Sequence, residues 1–161
     1  MRYGVAADHA GFPLKAPALR ELSALGHSVV DLGGDGTDGD DYPDFAIAIG
    51  EAIRGGVIDR GVIICGSGVG VSVAASKIPG VRAAICHDSY SAHQGVEHDD
   101  MNVLCLGSRI IGAELALELV RSFAQATFTN EERHMRRLRK VDAIETAHFD
   151  HTRKLSQPSG G

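Results

Sequence analysis

The stretch that decides the fold is Gly61-Val62-Ile63-Ile64-Cys65-Gly66-Ser67-Gly68-Val69-Gly70. Its first half is an unbroken apolar run of strand length, as expected for a parallel strand buried on both faces. Its second half places three glycines in five residues, between that strand and an amphipathic stretch reaching to about Lys77. Closely spaced glycines let backbone N–H groups converge on an anion or a developing oxyanion. The following helix adds its positive end. A tight strand-to-helix turn needs fewer glycines, so a functional loop is the better reading. No Gly-Lys-Ser/Thr follows, which excludes a Walker loop, and Val71 stands where a dinucleotide fingerprint has its third glycine.

Outward from this stretch, short β-branched runs alternate with longer amphipathic ones. Strands are expected at residues 3–7, 28–32, 61–65, 81–86 and 102–106. Helices are expected at 13–25, from an Asp44 cap to Gly55-Gly56, and from the glycine loop to Lys77. Others run from an Asp88 cap to Glu97, over 112–126, and from the capping-box spacing Thr129-Asn130-Glu131-Glu132 to about Asp150. This alternation predicts a three-layer α/β/α domain, a five-stranded parallel sheet covered on both faces. One domain is expected over residues 1–150, with a flexible tail over 151–161.

Composition narrows the function. A length of 161 residues suits one domain, and 43% hydrophobic with 23% charged residues argues against a disordered chain. No apolar run approaches the roughly 20 residues of a membrane span. A net charge of −5, 5% aromatics and no Trp argue against nucleic acid as a partner. Met1-Arg2 and the short apolar run behind it, ending at Asp8-His9, do not make a signal peptide. Cys65, Cys86 and Cys105 form no CxxC pair. They read as free thiols in a reducing cytoplasm, with no disulfide framework and no local metal site.

In parallel sheets ligands bind at the C-terminal strand ends. The segments expected there are residues 8–11, 33–41, 66–70, 87–88 and 107–109. Cys65 opens the glycine loop, where amides and a helix start favour thiolate, a base or nucleophile. Cys86 and Cys105 lack such a loop and read as core. His9 and His98 are expected on this active edge as proton shuttles. Arg133 and Arg137 are four apart on the last helix and share a face. Two guanidiniums near a helix start suit a phosphate, although a solvated basic face competes with that reading. Arg109, after the fifth strand, is a further candidate ligand. The literal GxGxxG at Gly34–Gly39 is rejected as a dinucleotide site, since no helix opens within it and its aspartates repel a pyrophosphate. Acid, base and amide donors together suggest proton transfer beside a carbonyl of a small anionic metabolite.

Several motifs recur in a familiar order: Asp8-His9-Ala10-Gly11-Phe12, Asp41-Tyr42-Pro43, Ile64 to Gly70, Glu97-His98-Asp99, Asn102-Val103-Leu104, Gly107-Ser108-Arg109, and Arg133-His134 with Arg137. Over about residues 1–149 the chain resembles the family of ribose-5-phosphate isomerase B and the galactose-6-phosphate isomerase subunits. The resemblance implies a Rossmann-like fold, no metal or organic cofactor, and interconversion of ribose 5-phosphate and ribulose 5-phosphate. It implies a homodimer or dimer of dimers, with active sites at the subunit interface. By the same resemblance Cys65 is the base moving a proton between C1 and C2, with Ser67 beside it. The amides of Gly66, Ser67, Gly68, Val69 and Gly70 hold the enediolate, and His98 assists ring opening. Asp8 and His9 contact the sugar or its phosphate, Arg133 and Arg137 grip the phosphate, and Arg109 lies close by. Val71 stands where one subgroup carries a Glu base, so the chain goes with the cysteine-base type. Asp99 stands where members usually carry Asn, and an ionised Asp only accepts hydrogen bonds. Alternatives are a six-carbon substrate (allose or galactose 6-phosphate), a non-catalytic sugar-phosphate sensor, and a nucleotide-binding module, the last disfavoured by the missing fingerprint.

Overall fold

The apolar run around Val62 to Ile64 becomes the central strand of a five-stranded parallel sheet. In the computed structural model, residues 1–155 are described, with side chains through 147. The elements are β1 (Arg2–Ala7), α1 (Phe12–Ala24), β2 (Ser28–Asp31), α2 (Tyr42–Arg54), β3 (Arg60–Cys65) and α3 (Val69–Ala75). They continue as β4 (Ala83–Ile85), α4 (Ser89–Asp99), β5 (Val103–Gly107), α5 (Ala113–Gln125) and α6 (Glu132–Leu155). The strand order is β2-β1-β3-β5-β4, and every neighbouring pair is parallel.

Strand side chains alternate between the two faces of the sheet. Val5, Val62, Ile64, Leu104 and Leu106 meet α1, α4 and α5 on one face. Ala6, Ile63, Cys65, Val103 and Cys105 meet α2 and α3 on the other. Each fully buried Ile or Leu of this kind contributes about 1.5–3 kcal/mol. The paired glycines Gly4 and Gly61 leave room for Ile49 of α2, which otherwise meets a Cβ at 2.4 Å over Gly61. The two connections that step toward β2 or back from β4 to β5 use the first face; those that step the other way use the second. One crossover hand throughout requires this.

Several expected boundaries move. Helix α2 begins at Tyr42 behind Asp41, not at an Asp44 cap, and Asp44 lies in its first turn. Pro43, near the helix start where its missing N–H costs nothing, accounts for the earlier start. Asp88 caps α4 as expected, its Oδ1 accepting from the Ser91 N–H at 2.7 Å. Contacts divide the chain into two units, Met1–Phe128 and Thr129 onward. In the second unit, Thr129 Oγ1 pairs with His134 Nδ1 at 2.7 Å ahead of α6. Helix α6 runs to Leu155, past the expected end at Asp150, since residues 151–155 hold no breaker before Pro158. The part of the expected tail from 156 to 161 lies outside the described residues. No helix among the described residues is long and apolar enough to cross a membrane.

Candidate active site

Strands β1 and β3 are neighbours, yet the chain leaves β1 toward β2 and leaves β3 toward β4. Their loops diverge and open a crevice, the switch point where ligands bind in such sheets. Asp8 and His9 stand on one side of it and the glycine loop on the other. The Asp8 N–H donates to the Ile64 carbonyl at 3.1 Å, and Asp8 Oδ1 accepts from the Gly11 N–H at 2.8 Å. Buried Asp8 thereby tightens the turn that brings His9 to the crevice.

Cys65 ends β3, is 5% exposed, and its Sγ accepts from the Gly68 N–H at 3.0 Å. That geometry needs Gly68 in the left-handed region, at φ +81°, where side chains other than glycine are strained. Ser67 is exposed, and its Oγ accepts from the Val69 N–H at 3.2 Å. Val71 is fully buried in the core and takes no part in the chemistry. Strand β5 supports the loop from the other side. The Ser108 N–H donates to the Cys65 carbonyl at 2.9 Å, and the Arg109 N–H to the Gly66 carbonyl at 3.0 Å. Ser108 Oγ donates to the Ala10 carbonyl at 2.7 Å and ties the β5 loop to the β1 loop. The Arg109 side chain passes over Gly66. The other two thiols are poor bases: burial pushes Cys86 up to about 11, and burial raises Cys105 further.

Tyr42 is a site residue that the motif reading quoted without a role. Its ring covers Gly70, where a Cβ would meet ring carbons at 2.9–3.1 Å. His9 also has a partner that spacing could not reveal. Asp40 Oδ1 lies 2.6 Å from His9 Nδ1, and this hydrogen bond raises the imidazole pKa above its usual value.

The expected position of His98 is corrected. It lies near the C-terminus of α4, and a helix that follows a strand runs back toward the strands' N-terminal edge. Asp100, two residues on, pairs with Arg82 at 2.5 Å, just before β4 begins. The Gly61–Val103 and Cys65–Gly107 pairs are four residues apart along the sheet, about 13 Å. His98 and exposed Asp99 therefore stand at the edge opposite Cys65. Gln94 Nε2 lies 2.6 Å from His98 Nδ1, one turn away on the same helix. Arg133 and Arg137 lie on α6 in the second unit, both exposed, and Arg133 pairs with Glu131 at 2.7 Å. Among the described residues, no three His, Cys, Asp or Glu side chains group as metal ligands.

The model of the family described as Ribose/Galactose Isomerase matches residues 4–141. The chain belongs to that family. It is 41% identical over 138 residues to ribose-5-phosphate isomerase B of Escherichia coli, covering 86% of this chain and 92% of that relative. It is 36% identical over 146 residues to D-erythrulose-4-phosphate isomerase 2 of Mycolicibacterium smegmatis, covering 89% and 96%. The solved structure of Clostridium thermocellum ribose-5-phosphate isomerase B superposes with a TM-score of 0.88 at 42% identity, covering 92% and 99%. The resemblance read from the motifs of this Ribose/Galactose Isomerase member, and its α/β/α fold, are thus borne out.

Proposed function

We propose that this chain is an aldose–ketose isomerase interconverting D-ribose 5-phosphate and D-ribulose 5-phosphate. The observation that carries the reading is Cys65: a thiol at the switch-point crevice, with the Gly68 amide aimed at its sulfur. On the open-chain sugar, the Cys65 thiolate takes the proton from C2. The electrons of that bond form the C1–C2 double bond, and the carbonyl oxygen O1 becomes an oxyanion. The amides of the 66–70 loop stabilise this charge. The thiol then returns the proton to C1, while the O2 proton moves to O1 and C2 becomes the ketone. Phosphate held far from the reacting carbons supplies binding energy that positions them.

Ring opening needs a proton donor, and His98 is the candidate from the family motif. Since His98 and Cys65 of one chain lie at opposite edges, a second copy must bring its His98 and Asp99 to the first copy's crevice. Helix α6 suits the same arrangement: Val141 and Ile144 are 51% and 62% exposed, an apolar surface fit for another chain. Arg133 and Arg137 then serve as phosphate ligands across that interface. The active unit is a homodimer or a dimer of dimers, and the three free cysteines suit a reducing cytoplasm.

Substrate length is the finer question. The likeness to a D-erythrulose-4-phosphate isomerase supports a second reading, a four-carbon phosphosugar. Steady-state turnover of four-, five- and six-carbon phosphosugars, with EDTA present and Cys65→Ala beside the wild type, tests both. Highest kcat/KM on ribose 5-phosphate, lost in the variant, supports the proposal. Preference for the tetrose or a hexose replaces the substrate, and tight binding without turnover makes the chain a sensor.

A further inference from the structure

Asp40 lies in the loop between β2 and α2, thirty-one residues from His9, yet one of its oxygens meets His9 twice. Its Oδ1 accepts from the His9 backbone N–H at 3.1 Å and lies 2.6 Å from His9 Nδ1. Two contacts to one oxygen fix both the backbone position and the rotation of the ring. A carboxylate only accepts, so Nδ1 carries the proton and Nε2 is the nitrogen left for a ligand. The loop that delivers Asp40 is braced. Buried Lys15 of α1 reaches Asp31 at 2.9 Å, the Gly33 carbonyl at 3.3 Å and the Gly34 carbonyl.

The other oxygen of Asp40, Oδ2, is buried with no hydrogen-bond partner among the described residues. A half-satisfied buried carboxylate is costly unless a countercharge stands beside it. The His9 ring is the group in contact. The charges acting on that ring are Asp40, Asp8 and Asp38, all of which favour imidazolium, while burial acts the other way.

We propose that Asp40 is a positioning residue of the active site, holding His9 by Nδ1 and favouring the imidazolium, whose Nε2–H then faces an anionic oxygen of the substrate. Asp40 acts only through His9. The identity of the substrate rests on the isomerase reading above; the Asp40–His9 contact does not. Position 40 follows the glycine-rich stretch and precedes the Asp41-Tyr42-Pro43 motif, so neither spacing nor motif singles it out.

Asp40→Asn separates the two parts of this role. An Asn oxygen can still accept from Nδ1–H, but the negative charge is gone. Nitrogen-15 NMR of the His9 ring, titrated between about pH 5 and pH 9, reads tautomer and charge without substrate. The expected result is an Nδ1–H ring in the wild type and a lower titration midpoint in Asp40→Asn. In steady state on ribose 5-phosphate, KM of the variant is expected to rise about tenfold between the two His9 midpoints, where His9 is protonated in the wild type and neutral in the variant. It should converge on the wild-type value at acid pH, where His9 is protonated in both. Binding of inorganic phosphate, measured by calorimetry over the same range, should show the same difference whether or not ribose 5-phosphate is turned over. Failure of turnover with an intact phosphate difference would remove the substrate and leave the positioning role standing. Equal His9 midpoints in the two proteins, or a KM rise independent of pH, would overturn the role of Asp40.

Discussion

Cys65, on β3, and His98, on α4, stand at opposite edges of the sheet. Cys65 is paired with Gly107, the last residue of β5, whereas His98 lies in the last turn of the helix that leads to β5's first residue, Val103. If both serve one reaction, each site draws them from different chains. Mixing separately purified Cys65→Ala and His98→Ala proteins should then restore activity. With random reassortment, about a quarter of the wild-type sites regain both groups. The double variant in one chain should gain nothing on mixing with itself. Absence of rescue after verified subunit exchange would place His98 outside the reaction.

Cys65→Ala should lower kcat by about 10²–10⁴-fold while calorimetry still detects phosphosugar binding. Cys86→Ala should keep its turnover, because burial holds that thiol protonated near neutrality and it faces the core. A Cys65→Ala enzyme of near-normal rate would exclude the thiolate mechanism.

Two glycines beside the site should respond differently to the same added methyl. At Gly11 a Cβ would lie 2.1 Å from the Ile64 carbonyl oxygen, which is backbone and cannot move aside. At Gly70 it would press on the Tyr42 ring, an exposed side chain that can swing away. Gly11→Ala should therefore lower Tm clearly in a thermal melt. Gly70→Ala should melt close to the wild type and show its effect in KM. The reverse ranking would contradict the packing described.

The Asp40–His9 pair also makes stability depend on pH. The His9 pKa is raised in the folded protein, first by the hydrogen bond to Asp40. A raised pKa means that its contribution is fully present below the unfolded value, about 6.5, and is lost as pH rises through the folded value. The Tm difference between wild type and Asp40→Asn should thus be largest in mild acid and shrink toward alkaline pH. A difference that grows with pH would carry the wrong sign.

Arg60 is 6% exposed and holds the C-terminal end of α5. Its Nη1 donates to the carbonyls of Phe123 and Ala126, both at 3.0 Å, and its guanidinium lies 5.4 Å from the Phe123 ring centroid. Arg60→Met keeps much of the volume but leaves the carbonyls unsatisfied. Urea unfolding should show a loss of about 1–3 kcal/mol. No loss would mean that water replaces the guanidinium there.

Much of the fold was legible because its signals are local. The apolar run ending in Cys65, the Asp88 cap and the glycine loop each declare themselves within a few residues. The start of α2 was misplaced because Asp44 resembles a cap, although Pro43 already marks a first turn. The position of His98 could have been corrected from the same pattern, since a helix after a strand must return to the opposite edge. The contacts of Asp40 with His9 and of Tyr42 with Gly70 join residues about thirty apart, and no spacing rule reaches them.

By itself, the sequence determined the alternation of strand and helix, the two-sided burial of β3, and the placement of a thiol at the mouth of a glycine loop. These follow from side-chain period, apolar content and backbone freedom, all properties of neighbouring residues. The tertiary structure decided the order β2-β1-β3-β5-β4, and with it the crevice between Asp8-His9 and Cys65. It also decided that Asp40 reaches His9 and that Cys65 and His98 lie apart. Strand pairing and loop convergence depend on which distant segments bury each other's faces, and a local pattern of apolar residues is nearly the same for several such pairings.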